Sequence, residues 1–278
     1  MKRLASLIVA ASAVAAGSVL ALGGGVAGAS TSTLPTIKVA LDGKAVTVGG
    51  QTVSGAVNIS TTVTKEAMGT AVLVRLNPGV TVSQAFAAVK SHHGDLNALD
   101  GLATVVFDQD ANRGATTVGQ TVLEPGNYVA LDGSHSGNPP FTTFTVTPSS
   151  APAALPPANT TVTTIEFAFR GPTTLRVGEL VRAVNDGYLV HMDDAFGVKS
   201  EAVGRKVIAL LLAGKDNQAM KLANNNVFSL GEPLSSGSEQ QAVLKTRPGW
   251  YVEACFMDTQ DGREHTQLGM ERLLKVVK

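Results

Sequence analysis

Residues 248–270 read PGWYVEACFMDTQDGREHTQLGM. Trp250 to Ala254 is rich in aromatic and β-branched residues and follows a Pro-Gly turn, so it reads as a β-strand that delivers Cys255 at its end. Beyond it the spacing is Cys255-x9-His265-x4-Met270. Far upstream, NDGYLVH (185–191) follows another short strand, Val181 to Val184, and ends on His191. One thiol, two imidazoles and one thioether form a soft donor set, and a trigonal Cys with two His and a weak axial Met is the set that binds copper in electron-transfer sites. Cys255 is the only cysteine of the chain, so it forms no internal disulfide; it is buried, intermolecular or a ligand.

Working outward, the motif Pro248-Gly249-Trp250-Tyr251-Val252 has a counterpart in Pro125-Gly126-Asn127-Tyr128-Val129, 123 residues earlier. Val181 to Val184 pairs with Val57 to Ser60, and Gly197-Val198 with Gly79-Val80, at slightly different offsets. Several features repeated in one order point to a duplication with small insertions. TPSSAPAALPPANT (147–160) holds four of the 12 prolines and reads as a stiff, extended linker over residues 148–159. Two domains of nearly equal size flank it, residues 30–147 and 160–278.

Within each domain the pattern is mostly short β-branched strands. They are expected at Thr36–Ala40, Ala71–Arg75, Ala103–Phe107 and Phe144–Thr147, then at Ile165–Phe169, Val181–Val184, Ala242–Leu244, Tyr251–Ala254 and Leu274–Val277. Thr81-Val-Ser-Gln84 has the form of a capping box opening a helix, and Ser200 precedes a second helical stretch, EAVGRKVIALLL. The expected fold is all-β: two tandem Greek-key β-sandwiches, each with one inserted helix.

The C-terminal half resembles the cupredoxins, the blue-copper β-sandwich family. The resemblance covers essentially all of residues 160–278 and rests on Asn185-x-Gly187-x3-His191, on the Pro248-Gly249-x-Tyr251 strand leading to Cys255, and on Leu268-Gly269-Met270 before the last strand. It implies one type 1-like copper ion, with His191 and His265 as equatorial nitrogen ligands, Cys255 as thiolate and Met270 as axial sulfur. It further implies that Asn185 steadies the ligand loops from behind. Nine residues between Cys255 and His265 exceed the short ligand loop of the small electron carriers and are closer to the copper nitrite reductases, so a more exposed and less rigid loop is expected. At the 123-residue offset Cys255 falls on Asp132 and His191 on Met68; the first domain is expected to be a cupredoxin-like domain lacking metal ligands. His92 and His93 read as the end of a helix, and His135 as part of a flexible Gly-Ser-His-Ser-Gly loop.

Composition narrows the classes further. With 44% hydrophobic and 16% charged residues, and 22 basic against 22 acidic side chains, the chain is neither disordered nor a basic nucleic-acid binder. Lys2 and Arg3, the apolar run Leu4 to Leu22 and Ala27-Gly28-Ala29 have the layout of a secretory signal peptide over residues 1–29. No cysteine there carries a lipid, and no membrane span is expected after cleavage.

The expected function is that of an exported copper-binding protein, carrying single electrons or holding the metal, with a redox partner protein or copper donor. The alternative class is an extracellular or cell-surface binding module with a vestigial, metal-free site. A copper oxidase or nitrite reductase places a His beside the blue-copper Cys; here the neighbours are Ala254 and Phe256, which disfavours an enzyme.

Overall fold

The computed structural model describes residues 34–135 and 137–278; the expected leader lies outside them. The first sandwich contains β1 (Thr36–Leu41), β2 (Val46–Gly50), β3 (Gly55–Val63), β4 (Met68–Leu76), α1 (Val82–Ser91), a 3-10 turn (Leu96–Leu99), β5 (Ala103–Asn112), β6 (Thr116–Leu123), β7 (Gly126–Asp132) and β8 (Phe141–Val146). The second contains β9 (Thr160–Ile165), β10 (Ala168–Arg170), β11 (Thr174–Arg176), β12 (Leu180–Asn185), β13 (His191–Val198), α2 (Glu201–Leu212), α3 (Asp216–Met220), β14 (Ala223–Leu234), β15 (Glu239–Val243), β16 (Gly249–Ala254), a 3-10 turn (His265–Leu268) and β17 (Glu271–Val277).

The two units repeat the same strand arrangement, with β11 added in the second. In each, the first strand runs parallel to a later one, β1 with β3 and β9 with β12. In the facing sheets, β4 lies between β5 and β7, and β13 between β14 and β16. The Pro-Gly-x-Tyr-Val motif does the same work twice: the Tyr128 hydroxyl donates to the Glu124 carbonyl at 2.8 Å and the Tyr251 hydroxyl to the Arg247 carbonyl at 2.6 Å. Each buried ring thereby pins the turn that starts its own strand, and its one polar atom is satisfied.

Why β4 and β13 lack strict alternation is clear from their packing. Leu73, with Ile37, Ile59, Phe107 and Tyr128, fills the space between the sheets, whereas Val72 and Val74 face the other way onto Ala85 of α1. In the second unit Ala195 packs inward with Tyr251 and Leu274, while Phe196 and Val198 meet Val207 and Leu211 of α2. Each of these fully buried aliphatic side chains of α2 contributes about 1.5–3 kcal/mol relative to an exposed one. Both helices begin as the sequence signals: Thr81 and Gln84 form the reciprocal capping box, and the Ser200 hydroxyl accepts from Val203 N–H.

Three expectations need correction. The strand expected at Ile165–Phe169 is a hairpin: Ile165 pairs with Ala168, and Glu166-Phe167 form its two-residue turn, with Phe167 at φ 55°. Gly197-Val198 is not the counterpart of Gly79-Val80, because Gly197 sits inside β13 opposite Tyr251 while Gly79 lies in a turn after β4. The second unit also has an extra helical turn, α3, beyond the one inserted helix expected.

The two sandwiches share a sheet. β6 pairs antiparallel with β15, Thr121 opposite Gln240 and Gln120 opposite Gln241, giving one eight-stranded sheet in the order β10-β9-β12-β15-β6-β3-β1-β2. Gln240, buried at the join, accepts from Asp108 N–H and donates to the Asp108 carbonyl, both at 3.0 Å, and to Leu230 O at 3.2 Å. The proline-rich segment carries no regular structure and lies along both units: Ala153 O accepts from Ala56 N–H, and Pro156 O accepts from Arg182 and Gln241.

Candidate metal centre

β13 and β16 are neighbours in register, Asp194 opposite Ala254, so the start of one and the end of the other put His191 and Cys255 at the same rim. The nine residues after Cys255 close on themselves. Asp258 and Glu264 form an antiparallel bridge, Thr259 N–H donates to Arg263 O, and His265 N–H donates to Met257 O, each hydrogen bond at 2.8 Å. This small hairpin returns His265 to Cys255: the loop is exposed as expected, with Asp258 and Gln260 to Arg263 at the surface, but these backbone bonds hold it and His265 at its end is fully buried, so it is not loose. Met270 is also fully buried and tied to both: its N–H donates to His265 O at 3.0 Å, and its carbonyl accepts from Cys255 N–H at 3.1 Å.

Three donor atoms converge. Cys255 Sγ lies 3.2 Å from His265 Nδ1 and 3.9 Å from His191 Nδ1, and the two Nδ1 atoms are 3.2 Å apart. Donors about 2.0–2.3 Å from an ion in a trigonal array stand roughly 3.5–4 Å from one another, so a metal fits among them with little movement. The Nε2 atoms of both histidines are buried without a hydrogen-bond partner. Burial lowers both imidazoles to about 4, with repulsion from His191 adding to the effect on His265; both are neutral near pH 7, the form that ligates. Burial pushes the Cys255 thiol up to about 12, opposed by the amide of Met192, which donates to Sγ at 3.4 Å. Metal uptake therefore displaces a thiol proton. A thiolate and two neutral imidazoles beside a methionine fit one copper ion of the type 1 kind.

The surroundings hold this geometry. Asn185 Nδ2 donates to Leu189 O and Leu234 O, both at 2.8 Å, and its Oδ1 accepts from Gly187 N–H at 2.9 Å. That fastens the loop running into His191. Gly187 has to be glycine here, because a Cβ would stand 2.8 Å from His191 Nε2 and 2.7 Å from Glu166 Oε1. The β9–β10 hairpin tip covers both imidazoles: Glu166 Oε1 is 3.9 Å from His191 Nε2 and accepts from the Tyr188 and Leu189 amides, while Phe167 sits edge-on to His265 with centroids 5.2 Å apart. From the first domain, Asn97 Oδ1 accepts Val190 N–H at 2.7 Å. Glu166, Phe167 and Asn97 escaped sequence reading, since each is brought in by tertiary packing and none lies in the ligand motif.

The remaining histidines lie elsewhere. His92 caps α1, with Nδ1 2.9 Å from Ala88 O, His93 takes φ 60° beside it, and His135 contacts Glu66 at 2.9 Å. Strand pairing also corrects the counterpart of His191. Trp250 pairs with Val198 and Asn127 with Leu76; counting back along each strand places His191 on Gly69, because β13 and β4 differ by 122 residues and not 123.

Among solved structures, auracyanin B shares 19% identity with 42% of this chain and 87% of its own, TM-score 0.27. An auracyanin of Roseiflexus castenholzii shares 17%, over 44% and 100%, TM-score 0.26. A copper-containing nitrite reductase of Thermus scotoductus spans both domains, 87% of this chain and 67% of its own, at 12% identity and TM-score 0.26. No protein-family model and no curated relative matches the sequence.

Proposed function

We propose that the protein is an exported copper protein whose C-terminal domain holds one ion at His191, Cys255, His265 and Met270 and passes single electrons. The observation that carries this reading is the convergence of Cys255 Sγ and two Nδ1 atoms within 3.9 Å of one another, in a pocket where all three residues are buried. Copper held there supplies a one-electron couple. The chain contributes rigidity and dryness: donors fixed by strands, hairpin and the Asn185 bonds rearrange little between oxidation states, and the Glu166-Phe167 tip keeps water from the imidazoles. Cys255 is flanked by Ala254 and Phe256, so no imidazole adjoins it in sequence to lead toward a second metal, which favours a carrier over an oxidase or reductase. Its partners are then a redox protein or a copper donor. No helix among the described residues is long and apolar enough to cross a membrane, and the leader directs export.

The test is a visible absorption spectrum of residues 30–278 titrated with Cu(II), beside Cys255→Ser. An intense thiolate-to-copper band at one ion per chain, lost in the variant, is the expected result. A colourless protein that still binds Cu(I) tightly through Cys255 would make it a copper holder and overturn the electron-transfer part. Silence with both ions would leave a metal-free binding module.

A further inference from the structure

We propose that the N-terminal domain carries a second metal site of a different kind, a divalent first-row cation of the zinc type held by Glu66, Asp132 and His135. The inference does not depend on copper at Cys255.

Asp132 ends β7 and takes the place of Cys255 at the 123-residue offset, so the position that is a thiol in one copy is a carboxylate in the other. It is 1% exposed, and its two oxygens are treated differently. Oδ1 accepts from Thr70 N–H at 3.1 Å, Ser134 N–H at 3.2 Å and the Ser134 hydroxyl at 2.7 Å. Oδ2 is buried with no hydrogen-bond partner and points at His135, 3.7 Å from Nε2. The same Nε2 stands 2.9 and 3.0 Å from the two Glu66 carboxylate oxygens. Ligand atoms about 2.1 Å from a shared ion lie roughly 3.0–3.4 Å apart, so a small closure of Asp132 toward His135 completes three ligands on one ion.

The surroundings supply space and leave the charge open. Gly69 stands where the second copy has His191, and its missing Cβ would lie 3.2 Å from Asp132 Oδ2; at Gly43 a Cβ would collide with the Glu66 carboxylate. Among the described residues no lysine or arginine pairs with Asp132 or Glu66. Lys65 is taken by Asp42 at 2.8 Å, and Arg113 donates to the backbone carbonyls of Lys65 and Glu66, which fixes the loop without neutralising its side chain. Two carboxylates and one imidazole without a thiolate select a harder ion than the copper set does, with the imidazole favouring zinc over magnesium or calcium. A duplicated fold thus keeps a metal at the same rim after exchanging its donors.

The experiment is a calorimetric titration with Zn(II) of the chain from residue 30 onward carrying Cys255→Ser, which removes the thiolate of the other site. It is repeated after adding His135→Ala, Glu66→Gln or Asp132→Asn. The first two replace half-exposed loop side chains; the third keeps the Oδ1 acceptor and puts an amide where Oδ2 would ligate, so folding is retained. The expected result is one zinc per chain in the parent and a loss of affinity in each variant at least as large as the roughly tenfold that removal of an outer partner costs. Absence of zinc binding in the parent overturns the proposal. So does binding unchanged in the His135 and Glu66 variants, which would place the zinc on other histidines, at His191 and His265 or at His92 and His93.

Discussion

Asn97 of the first domain accepts the N–H of Val190, at 2.7 Å, so the residue preceding His191 is anchored by the other sandwich. Asn97 is itself fixed by Asp95, whose carboxylate accepts from both its backbone and its side-chain amide at 2.8 Å. Asn97→Ala leaves a backbone N–H without an acceptor, a loss of about 1–3 kcal/mol where the group is buried. The variant is expected to unfold at lower denaturant and to bind copper more weakly. Unchanged affinity in a titration would show that the His191 loop stands without the first domain.

Met270→Leu replaces a fully buried thioether by a side chain of similar volume, a swap that costs under about 1.5 kcal/mol. The copper band should persist and the reduction potential should move, because the axial ligand tunes it. A potential identical to that of the parent, measured by redox titration, would take the sulfur off the metal.

Gln240→Ala removes both halves of the exchange with Asp108 and the bond to Leu230. Unsatisfied groups at a buried join make this one of the costlier single changes in the molecule, about 2–4 kcal/mol. Equilibrium denaturation is expected to show an earlier transition; a midpoint equal to the parent's would mean that the join contributes little.

Acidic side chains crowd the same boundary. Burial raises Asp108 and Glu232 well above the usual carboxylate range, with Asp110 and Asp194 adding like-charge repulsion, and burial with Asp110 nearby pushes Asp194 up to about 7. A carboxyl raised in the folded state stabilises most below its unfolded pKa near 4 and loses that contribution as pH climbs through the folded value. Metal-free protein is therefore expected to lose thermal stability between about pH 4 and pH 8, apart from acid effects elsewhere. Glu232→Gln should flatten the fall and raise Tm at pH 8. An equally steep profile in the variant would remove the cluster from the account.

The candidate metal end was legible because its residues are rare and ordered: a single cysteine, two histidines, a methionine and Asn185, all but His265 at a strand boundary marked by Pro, Gly or β-branched residues. The duplication was legible through Tyr128 and Tyr251, whose hydroxyls impose the same turn twice. Gly79-Val80 and Gly197-Val198 misled, since a dipeptide does not distinguish a turn from a strand interior. Ile165 to Phe169 has strand composition throughout, yet its chain reverses at Glu166 because Phe167 accepts a positive φ in this context, a choice that composition does not signal. The long hairpin between Cys255 and His265 shows the same limit: its length was visible and its closure through Asp258 and Glu264 was not.

The sheet that joins the two sandwiches also sets an order of events during synthesis. Until Glu239–Val243 have been made, β6 is an edge strand whose free backbone groups can template a strand from another chain. Val118 and Val122 remain exposed even in the finished molecule, and the segment that follows the first domain is rich in proline, which cannot supply a ladder of N–H donors. A chain halted before residue 239 thus presents a sticky seam, and its own strand at Glu239–Val243, made late, is the guard against assembly with its neighbours.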